Sequence, residues 1–216
     1  MTREDSWSAN WACSKLISYE DIQSANARDT NQIELSVKNL QRPVHIATMS
    51  VETVRSTDLN ELCTSSDIEF AMNIKKDALY DQSAIQFSES RPIGIGGLGD
   101  LYRAAREREF RNYLPKETRF ILRGLRQHTA VTNVQRLNNR LYRIERRSRQ
   151  PMTVLALNDY DLTAESVRDG IDRFGTCDII LASNPNCRAS GESVTAAKHC
   201  GVRVLKWGQL LGALNH

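Results

Sequence analysis

The feature that most constrains the fold is an alternation of short apolar runs with helix-forming stretches between residues 152 and 215. The runs TVLAL, CDIILAS and VRVL are typical of buried strands, whereas LTAESVRDGIDRFG, SGESVTAAKHCG and GQLLGAL are typical of helices. The resulting order, β-α-β-α-β-α, predicts a parallel sheet, because successive parallel strands need a crossover connection between them.

The same order recurs about 110 residues earlier in the chain. The earlier series is VHIATM, a helix through residues 54–62, DIEFAMN, ALYDQSAIQFSES, IGIGG and LGDLYRAA. Single residues recur as well: Asp67, Ile68, Ala71 and Asn73 correspond to Asp178, Ile179, Ala182 and Asn184. Internal recurrence at a fixed separation is the sequence signal of a repeated architecture. We therefore predict an α/β fold with two copies of a β-α-β-α-β-α unit, which form either two lobes or one sheet of parallel, Rossmann-like character.

The predicted organisation has four segments. They are an N-terminal arm at 1–42, a first α/β repeat at 43–105, an arginine-rich connecting segment at 106–150 and a second α/β repeat at 151–216. In the arm, Trp7 and Trp11 lie four residues apart, which suits one face of a short helix packed on the main body. The stretch IELSVKNL alternates apolar and polar residues, as expected for a half-buried or edge strand.

The connecting segment allows more than one interpretation. We predict a short strand for RFILRGLRQ. The stretch TNVQRLNNRLYRIERRSR fits either a β-hairpin that turns at Asn138 and Asn139 or an amphipathic helix with an apolar stripe. The hairpin is favoured because two adjacent asparagines weaken a helix interior.

Composition places the chain among ordinary globular proteins. It is 40% hydrophobic and 25% charged, which excludes the disordered, collagen-like and coiled-coil classes. Its longest uncharged apolar runs have strand length, so we expect a cytoplasmic protein with no membrane partner. The five cysteines include no C-x-x-C pair and no matching histidine spacing, which favours free thiols over disulfides or a zinc site.

Positive charge is concentrated in the middle of the chain. Between Arg103 and Arg149 there are 14 Arg and Lys residues against 4 Glu, a net charge of +10, whereas the remainder carries −7. All but one of the 14 are arginine, the side chain best suited to bind phosphate and to stack on bases. This basic segment therefore predicts a nucleic-acid partner, either DNA or RNA.

The arginines that we expect to contact nucleic acid lie in the predicted connecting segment. They are Arg119, Arg123, Arg126, Arg136, Arg140, Arg143, Arg146 and Arg147. Burial of Arg136, Arg140 and Arg143 against acidic residues of the protein itself would contradict the nucleic-acid-binding hypothesis, because their charge would then serve internal compensation.

A candidate catalytic pair follows the first strand of the second repeat. Asp159 and Asp161 could hold Mg²⁺ at the carboxyl edge of the sheet, where ligands of parallel α/β sheets bind. The competing interpretation is structural: Asp161 favours the dipole of the next helix, and Thr163 with Ser166 caps its first turn. The second loop supplies asparagines where a nuclease would need further acids, which disfavours metal-dependent cleavage.

Polar residues at the other predicted strand ends form a candidate ligand pocket. Its members are Asn73, Lys75, Asn184, Asn186 and Lys206. Asn73 and Asn184 occupy matching positions in the two repeats, so either both reach a shared cleft or each simply ends its strand by bonding local backbone. The glycine-rich IGIGGLGD has the wrong spacing for a dinucleotide-binding turn and is assigned a packing role.

The strand–helix order resembles Rossmann-type and some restriction-endonuclease-like cores in general form. No catalytic motif of either is present, so the resemblance implies no site residue. The expected function is nucleic-acid binding by an arginine-rich segment held between two related α/β lobes. The alternatives are a Mg²⁺-dependent nuclease or phosphodiesterase and a nucleotide or small-ligand sensor. The sequence leaves open whether a second copy of the chain is a partner in a homodimer.

Overall fold

The computed structural model describes residues 5–216, with only the backbone described for residues 5–8. Over this range the protein has a mixed α/β fold with eight helices and two five-stranded sheets that combine parallel and antiparallel strands. The chain divides into two compact units, Met1–Pro115 and Lys116–His216. The boundary between them falls inside the predicted connecting segment 106–150.

Unit 1 alternates strands and helices after an initial helix and hairpin. Its helices are α1 Asp5–Leu16, α2 Ser56–Leu62, α3 Gln82–Ser90 and α4 Leu98–Glu107. Its strands are β1 Ile22–Ala27, β2 Gln32–Val37, β3 Val44–Met49, β4 Thr53–Val54, β5 Ile68–Asn73, β6 Leu79–Tyr80 and β7 Gly94–Gly97.

The main sheet of unit 1 has the order β1-β2-β3-β5-β7. The first three strands pair antiparallel, whereas β3, β5 and β7 pair parallel. Both parallel connections step in the same direction, so right-handed crossovers place α2 and α3 on one face of the sheet. Buried residues of α2 and α3, such as Leu59 and Ile85, pack there against Ala47 and Ala71. The opposite face is covered by α1 and α4.

Unit 2 has its helices and strands in the same order along the chain. Its helices are α5 Lys116–Arg126, α6 Ala164–Phe174, α7 Gly191–His199 and α8 Trp207–Ala213. Its strands are β8 Val131–Arg136, β9 Leu141–Arg146, β10 Arg149–Leu157, β11 Asp161–Leu162, β12 Ile179–Ala182, β13 Arg188–Ala189 and β14 Arg203–Leu205.

The main sheet of unit 2 has the order β14-β12-β10-β9-β8. Here too β8, β9 and β10 pair antiparallel, and β10, β12 and β14 pair parallel. Leu155 and Ile180 point toward Val167 of α6 and Ala197 of α7. Because strand side chains alternate between faces, their neighbours Val154 and Ile179 point to the other side, where α5 packs on β8 and α8 packs on β12.

Every strand and helix predicted for the two repeats is found, but the sheets are parallel only in part. In each unit three strands are parallel, and two antiparallel strands extend the sheet at one edge. The predicted parallel sheets are therefore confirmed only in part, because β1 and β2 in unit 1, and β8 and β9 in unit 2, add antiparallel strands to the parallel ones. The alternative of a single combined sheet is wrong, since each unit has its own sheet.

The basic segment holds one wrong prediction and one confirmed one. RFILRGLRQ is not a strand but most of α5, whose buried residues Thr118, Ile121, Leu122 and Leu125 have helical spacing. The hairpin is confirmed by the pairing of β8 with β9. Asparagine tolerates positive φ, but neither Asn138 nor Asn139 adopts it in this turn. Instead Asn138 Oδ1 accepts hydrogen bonds from the backbone of Arg140 and Leu141, at 2.9 and 2.8 Å.

The predicted arm is part of unit 1. IELSVKNL forms β2, with Ile33, Leu35 and Val37 buried, but it lies between two strands and is not an edge. Trp11 packs against the core on α1 as predicted, and the side chain of Trp7 lies outside the described residues.

The structure bears on two expectations, the absence of a membrane-spanning helix and the free state of the cysteines. The longest helix among residues 5–216 has 12 residues, so none of these helices is long enough to span a bilayer. All five cysteines are free, with Cys13, Cys63, Cys177 and Cys187 buried and Cys200 exposed.

Candidate functional site

The predicted catalytic aspartates lie in a short connection whose backbone is held by pairing. Asp159 follows β10, and Asp161 belongs to β11, which pairs in parallel with Arg188 of β13. Thr163 Oγ1 accepts a hydrogen bond of 3.1 Å from Ser166 N and caps α6, so the capping interpretation is confirmed for Thr163. Within the described residues, no group of three or more His, Cys, Asp or Glu side chains converges as a metal site.

The predicted ligand-pocket residues are engaged within their own units. Asn73 is buried, and its side chain bonds both the N–H and the carbonyl of Val51, at 3.1 and 2.7 Å. Asn184 Oδ1 accepts from Asn186 N at 2.9 Å, which closes a local turn after β12. Asn184 therefore has the turn-forming role predicted as one alternative, whereas Asn73 chiefly ties the end of β5 to the connection after β3 and accepts a longer bond of 3.4 Å from Lys75 N.

The two lysines of the predicted pocket are exposed. Lys75 Nζ lies 3.0 Å from Glu52 Oε1 in unit 1. Lys206 precedes α8, and its backbone N–H donates to Gln209 Oε1 at 2.8 Å. Each lysine therefore lies near the end of a parallel strand, as predicted, in a different unit.

The glycine-rich loop of unit 1 has the packing role expected for it. A Cβ at Gly94 would lie 2.1 Å from the carbonyl oxygen of Phe110. At the loop's end, Asp100 Oδ2 accepts from Gly97 N at 3.1 Å and caps α4. Asp100 also accepts from Tyr113, whose pKa is raised by burial and by that carboxylate.

A polar cluster at the carboxyl ends of β10 and β12 was not predicted from the sequence. Its centre is Glu117, in the first turn of α5, where an acidic residue suits the helix dipole. The carboxylate accepts hydrogen bonds from Arg140, at 2.7 Å, from Asn158, at 3.0 Å, and from Ser183. Because three donors occupy it, the carboxylate serves to anchor α5 to the strand ends and not as a free base.

The layer beneath this cluster is also polar. Tyr142 is 1% exposed and shares a side-chain hydrogen bond with Thr118 of α5. Burial raises the pKa of the Tyr142 hydroxyl. Arg136, on the neighbouring strand β8, is paired in register with Tyr142 and is 9% exposed. These contacts fix α5 against the antiparallel strands, so the outward face of the helix has a defined position in unit 2.

The eight predicted arginines differ in how much charge they present to solvent. Arg136 is buried, and Arg140 is compensated by Glu117. Arg143 is exposed but lies 2.7 Å from Glu145, and Arg146 donates to the carbonyl of Gln150. The central triad of the prediction, Arg136, Arg140 and Arg143, is therefore largely used within the protein. The exposed members are Arg119, Arg123, Arg126, Arg143 and Arg147.

Three of these exposed arginines share one side of α5, which we call the arginine face. Arg119, Arg123 and Arg126 lie within about 60° of the helix circumference, since each residue advances about 100°. The centre of this face lies about 120° around the helix from the centre of the buried stripe of α5. The sequence contains the information needed to predict this face, because the spacing of Thr118, Ile121, Leu122 and Leu125 is helical. The predicted strand does not place the three arginines on one side.

An open groove, here called the aromatic groove, borders the arginine face. It has a volume of about 460 Å³. It is lined by Phe120, Arg123 and Gly124 of α5, by Gln127 and His128 just after it, and by Trp207 and Leu211 of α8. The rings of Phe120 and Trp207 have centroids 5.0 Å apart at an interplanar angle of 49°. Phe120 is 57% exposed. The sequence alone could not identify this groove, because α5 and α8 lie more than 80 residues apart.

Gly124 permits the close approach of α8 to α5. A Cβ at this position would lie 2.3 Å from Cζ2 of Trp207, well inside van der Waals contact. The indole therefore rests directly on the backbone of α5, and one wall of the aromatic groove depends on a missing side chain.

Comparisons with known proteins do not extend this picture. No protein-family model, curated protein or solved structure matches the chain.

Proposed function

We propose that the protein binds nucleic acid, with the arginine face of α5 contacting the phosphate backbone. The observation that carries the proposal is the alignment of Arg119, Arg123 and Arg126 on one exposed side of an anchored helix. Within the described residues, Arg123 and Arg126 form no ion pair with an acidic side chain. Their charge is thus available to an anionic ligand.

The spacing of the arginine face suits a nucleic-acid strand. From Arg119 to Arg126 the helix rises about 10.5 Å, at 1.5 Å per residue. Along one strand of a duplex, about three phosphates occupy the same axial length at roughly 3.4 Å each. Arginine also binds phosphate oxygens through two parallel N–H groups, which favours this side chain over lysine.

The surroundings of the arginine face add little negative charge. α5 carries four basic residues and a single acid, Glu117, which is occupied by its three donors. α8 carries no charged residue at all. An approaching polyanion would therefore meet arginine, glutamine and aromatic groups across the α5–α8 surface, with no carboxylate of either helix free to repel it.

We further propose that the two units are copies of one ancestral unit and that unit 2 is specialised for binding. The support is their common order, α-β-β-β-β-α-β-β-α-β-α, together with the same pattern of strand pairing. In this alignment α1 is the counterpart of α5, yet α1 contains only one basic residue, Lys15. The two helices have the same place in the order of elements, but α1 has one acidic and one basic residue and is neutral, whereas α5 carries a net charge of +3.

We also propose a cytoplasmic location. Free thiols, of which this chain has five, are typical of reducing compartments. A homodimer, a Mg²⁺-dependent nuclease and a nucleotide sensor remain predictions of the sequence.

Binding is tested by fluorescence anisotropy with a labelled strand of about 20 nucleotides and its duplex, at about 50 and 200 mM salt, because counterion release makes phosphate binding salt-dependent. Running the product on a denaturing gel with and without Mg²⁺ separates binding from cleavage. The proposal predicts binding that weakens with salt and leaves the nucleic acid intact. Absence of binding to DNA and RNA at low salt would refute it.

A further inference from the structure

The aromatic groove exposes apolar surface that the fold of unit 2 does not require. Among the described residues the exposed large hydrophobic side chains are Ile17, Phe120, Tyr160 and Val194. Of these, Phe120 lies beside a second aromatic ring in a groove and next to exposed arginines. Burying a large apolar side chain stabilises a protein by about 1.5–3 kcal/mol, and Phe120 does not gain this free energy in full while it is exposed. An exposed aromatic ring in a groove is therefore typical of a binding surface.

The geometry of the groove fits flat aromatic ligands. The Phe120 and Trp207 rings meet at 49°, so their outer faces are not parallel and neither ring covers the other completely. A planar group can therefore lie against the face of one ring while contacting the edge of the other. Gln127, which is exposed at the same groove, adds an amide that can donate to and accept from a base edge.

Charge identifies which aromatic ligand fits. Arg123 belongs both to the groove and to the arginine face, so rings bound at Phe120 lie next to a row of guanidinium groups. The complementary occupant carries planar rings joined by a negatively charged backbone, with several charges in a row. Unpaired nucleotides have this chemistry, because their bases are free to stack on aromatic side chains while their phosphates pair with arginine.

Resting on the proposed nucleic-acid function, we propose that the aromatic groove binds unpaired bases, so that the ligand of the arginine face is a single strand. Bases inside a duplex are already stacked on their neighbours and cannot reach Phe120 and Trp207 without being extruded. The groove thus confers a preference for single-stranded over double-stranded nucleic acid, with little discrimination among sequences, since every base offers a flat face.

The test compares three ligands on the full chain: a single strand of about 12 nucleotides, the matching duplex, and inorganic polyphosphate, which has charges but no bases. Phe120→Ala should weaken single-strand binding by about 5- to 150-fold, the range expected for the loss of one stacked base. Binding of the duplex and of polyphosphate should change by less than about twofold, because ion pairing with phosphate does not involve the ring.

Tyr160→Ala is the matched control. Tyr160 is also in unit 2, is 53% exposed and has an arginine, Arg188, 5.4 Å above its ring, but it lies outside the aromatic groove. This variant should bind all three ligands as the unaltered protein does. The indole gives a second readout: the single strand should quench Trp207 fluorescence, and Trp207→Phe should abolish that part of the quenching while retaining an aromatic ring.

The outcomes separate the two proposals. Equal, salt-dependent binding of strand and duplex, unaffected by Phe120→Ala, would overturn the single-strand inference and leave the phosphate-binding function standing. Polyphosphate that binds as tightly as the single strand would also overturn it. Failure of all three ligands to bind at low salt would overturn both proposals, and an acidic peptide rich in aromatic residues would become the next ligand to test.

Discussion

Removing the charge of the arginine face should reduce the salt dependence of binding by a calculable amount. In the variant Arg119→Gln, Arg123→Gln and Arg126→Gln, glutamine keeps the helix propensity of α5 and removes three positive charges from its exposed side. If each arginine neutralises one phosphate, three contacts contribute about −2.7 to the slope of log K against log salt for a duplex, and about −2.1 for a single strand.

These slopes translate into a measurable difference. Between about 50 and 200 mM salt, the unaltered protein should lose about 40-fold more duplex affinity than the triple variant, or about 18-fold more single-strand affinity. The assay is anisotropy of a labelled oligonucleotide titrated at four or more salt concentrations between about 50 and 200 mM. Hydrogen–deuterium exchange across α5 checks that the helix of the variant is intact.

A matched control removes the same charge elsewhere in unit 2. Arg168, Arg188 and Arg203 are exposed and lie outside α5, on α6, β13 and β14. Replacing all three by glutamine lowers the net charge by the same amount as the triple variant of α5. This variant therefore controls for long-range attraction between the protein's net charge and the nucleic acid. If this control variant loses as much of the salt slope as the α5 variant does, the reasoning is refuted, because charge at α5 would have no special role.

Four further predictions concern the anchor, the capping residue, the two candidate catalytic aspartates and the thiols. Glu117→Ala should lower the free energy of unfolding of unit 2 by about 1–3 kcal/mol, because Arg140, Asn158 and Ser183 lose their common acceptor. Urea denaturation, monitored by hydrogen exchange of the amides of unit 2, measures this change. Thr163→Ala should lower the free energy of unfolding by about 1 kcal/mol, because α6 loses its N-terminal cap. The double variant Asp159→Asn, Asp161→Asn should bind oligonucleotides as the unaltered protein does. In native protein near pH 8, only the exposed Cys200 should react quickly with iodoacetamide, as peptide mass spectrometry would show.

The thiol prediction has a defined pH dependence. Burial raises the pKa of Cys63 and of Cys177 to about 11, so their thiolate fractions stay small near pH 8 and grow only as the pH approaches that value. Cys200→Ser should therefore remove the fast-reacting thiol. Rapid labelling of Cys177 in folded protein would contradict the packing described for unit 2.

The stability and site predictions have equally specific controls. Glu145→Ala breaks an exposed pair with Arg143, with side chains 46% and 37% exposed, and should change stability by no more than about 1 kcal/mol. An equal effect of Glu117→Ala would contradict its role as an anchor. Loss of a Mg²⁺-dependent cleavage activity in the Asp159→Asn, Asp161→Asn variant would favour the nuclease prediction.

The alternation of strands and helices could be predicted from sequence because both signals are local. Runs such as TVLAL are apolar over strand length, and helices such as α6 show a 3.6-residue period between a capping Thr163 and a terminal Gly175. For the antiparallel strands β8 and β9 of unit 2, the sequence predicts a hairpin but places it in a connecting segment. Their place in the sheet depends on pairing of β9 with β10, a contact that no local pattern specifies.

The candidate site was predicted only in part, for a related reason. The excess of arginine was visible in the composition, but its division into buried, paired and exposed residues depends on tertiary contacts. Glu117 reaches Asn158 and Ser183 across 41 and 66 residues of sequence. The stretch RFILRGLRQ predicts a strand because its apolar residues are close together. Gly124 weakens either a strand or a helix, and its presence is explained only by the contact with the indole of Trp207.

Photo-crosslinking of a bound single strand tests the central claim most directly. A strand with photoreactive bases is bound at low salt, irradiated and digested, and the modified peptides are identified by mass spectrometry. The account predicts crosslinks in α5 and α8, centred on Phe120 and Trp207, that are lost in the Arg119, Arg123, Arg126 variant. Crosslinks confined to unit 1 or to the β8–β9 hairpin would contradict it.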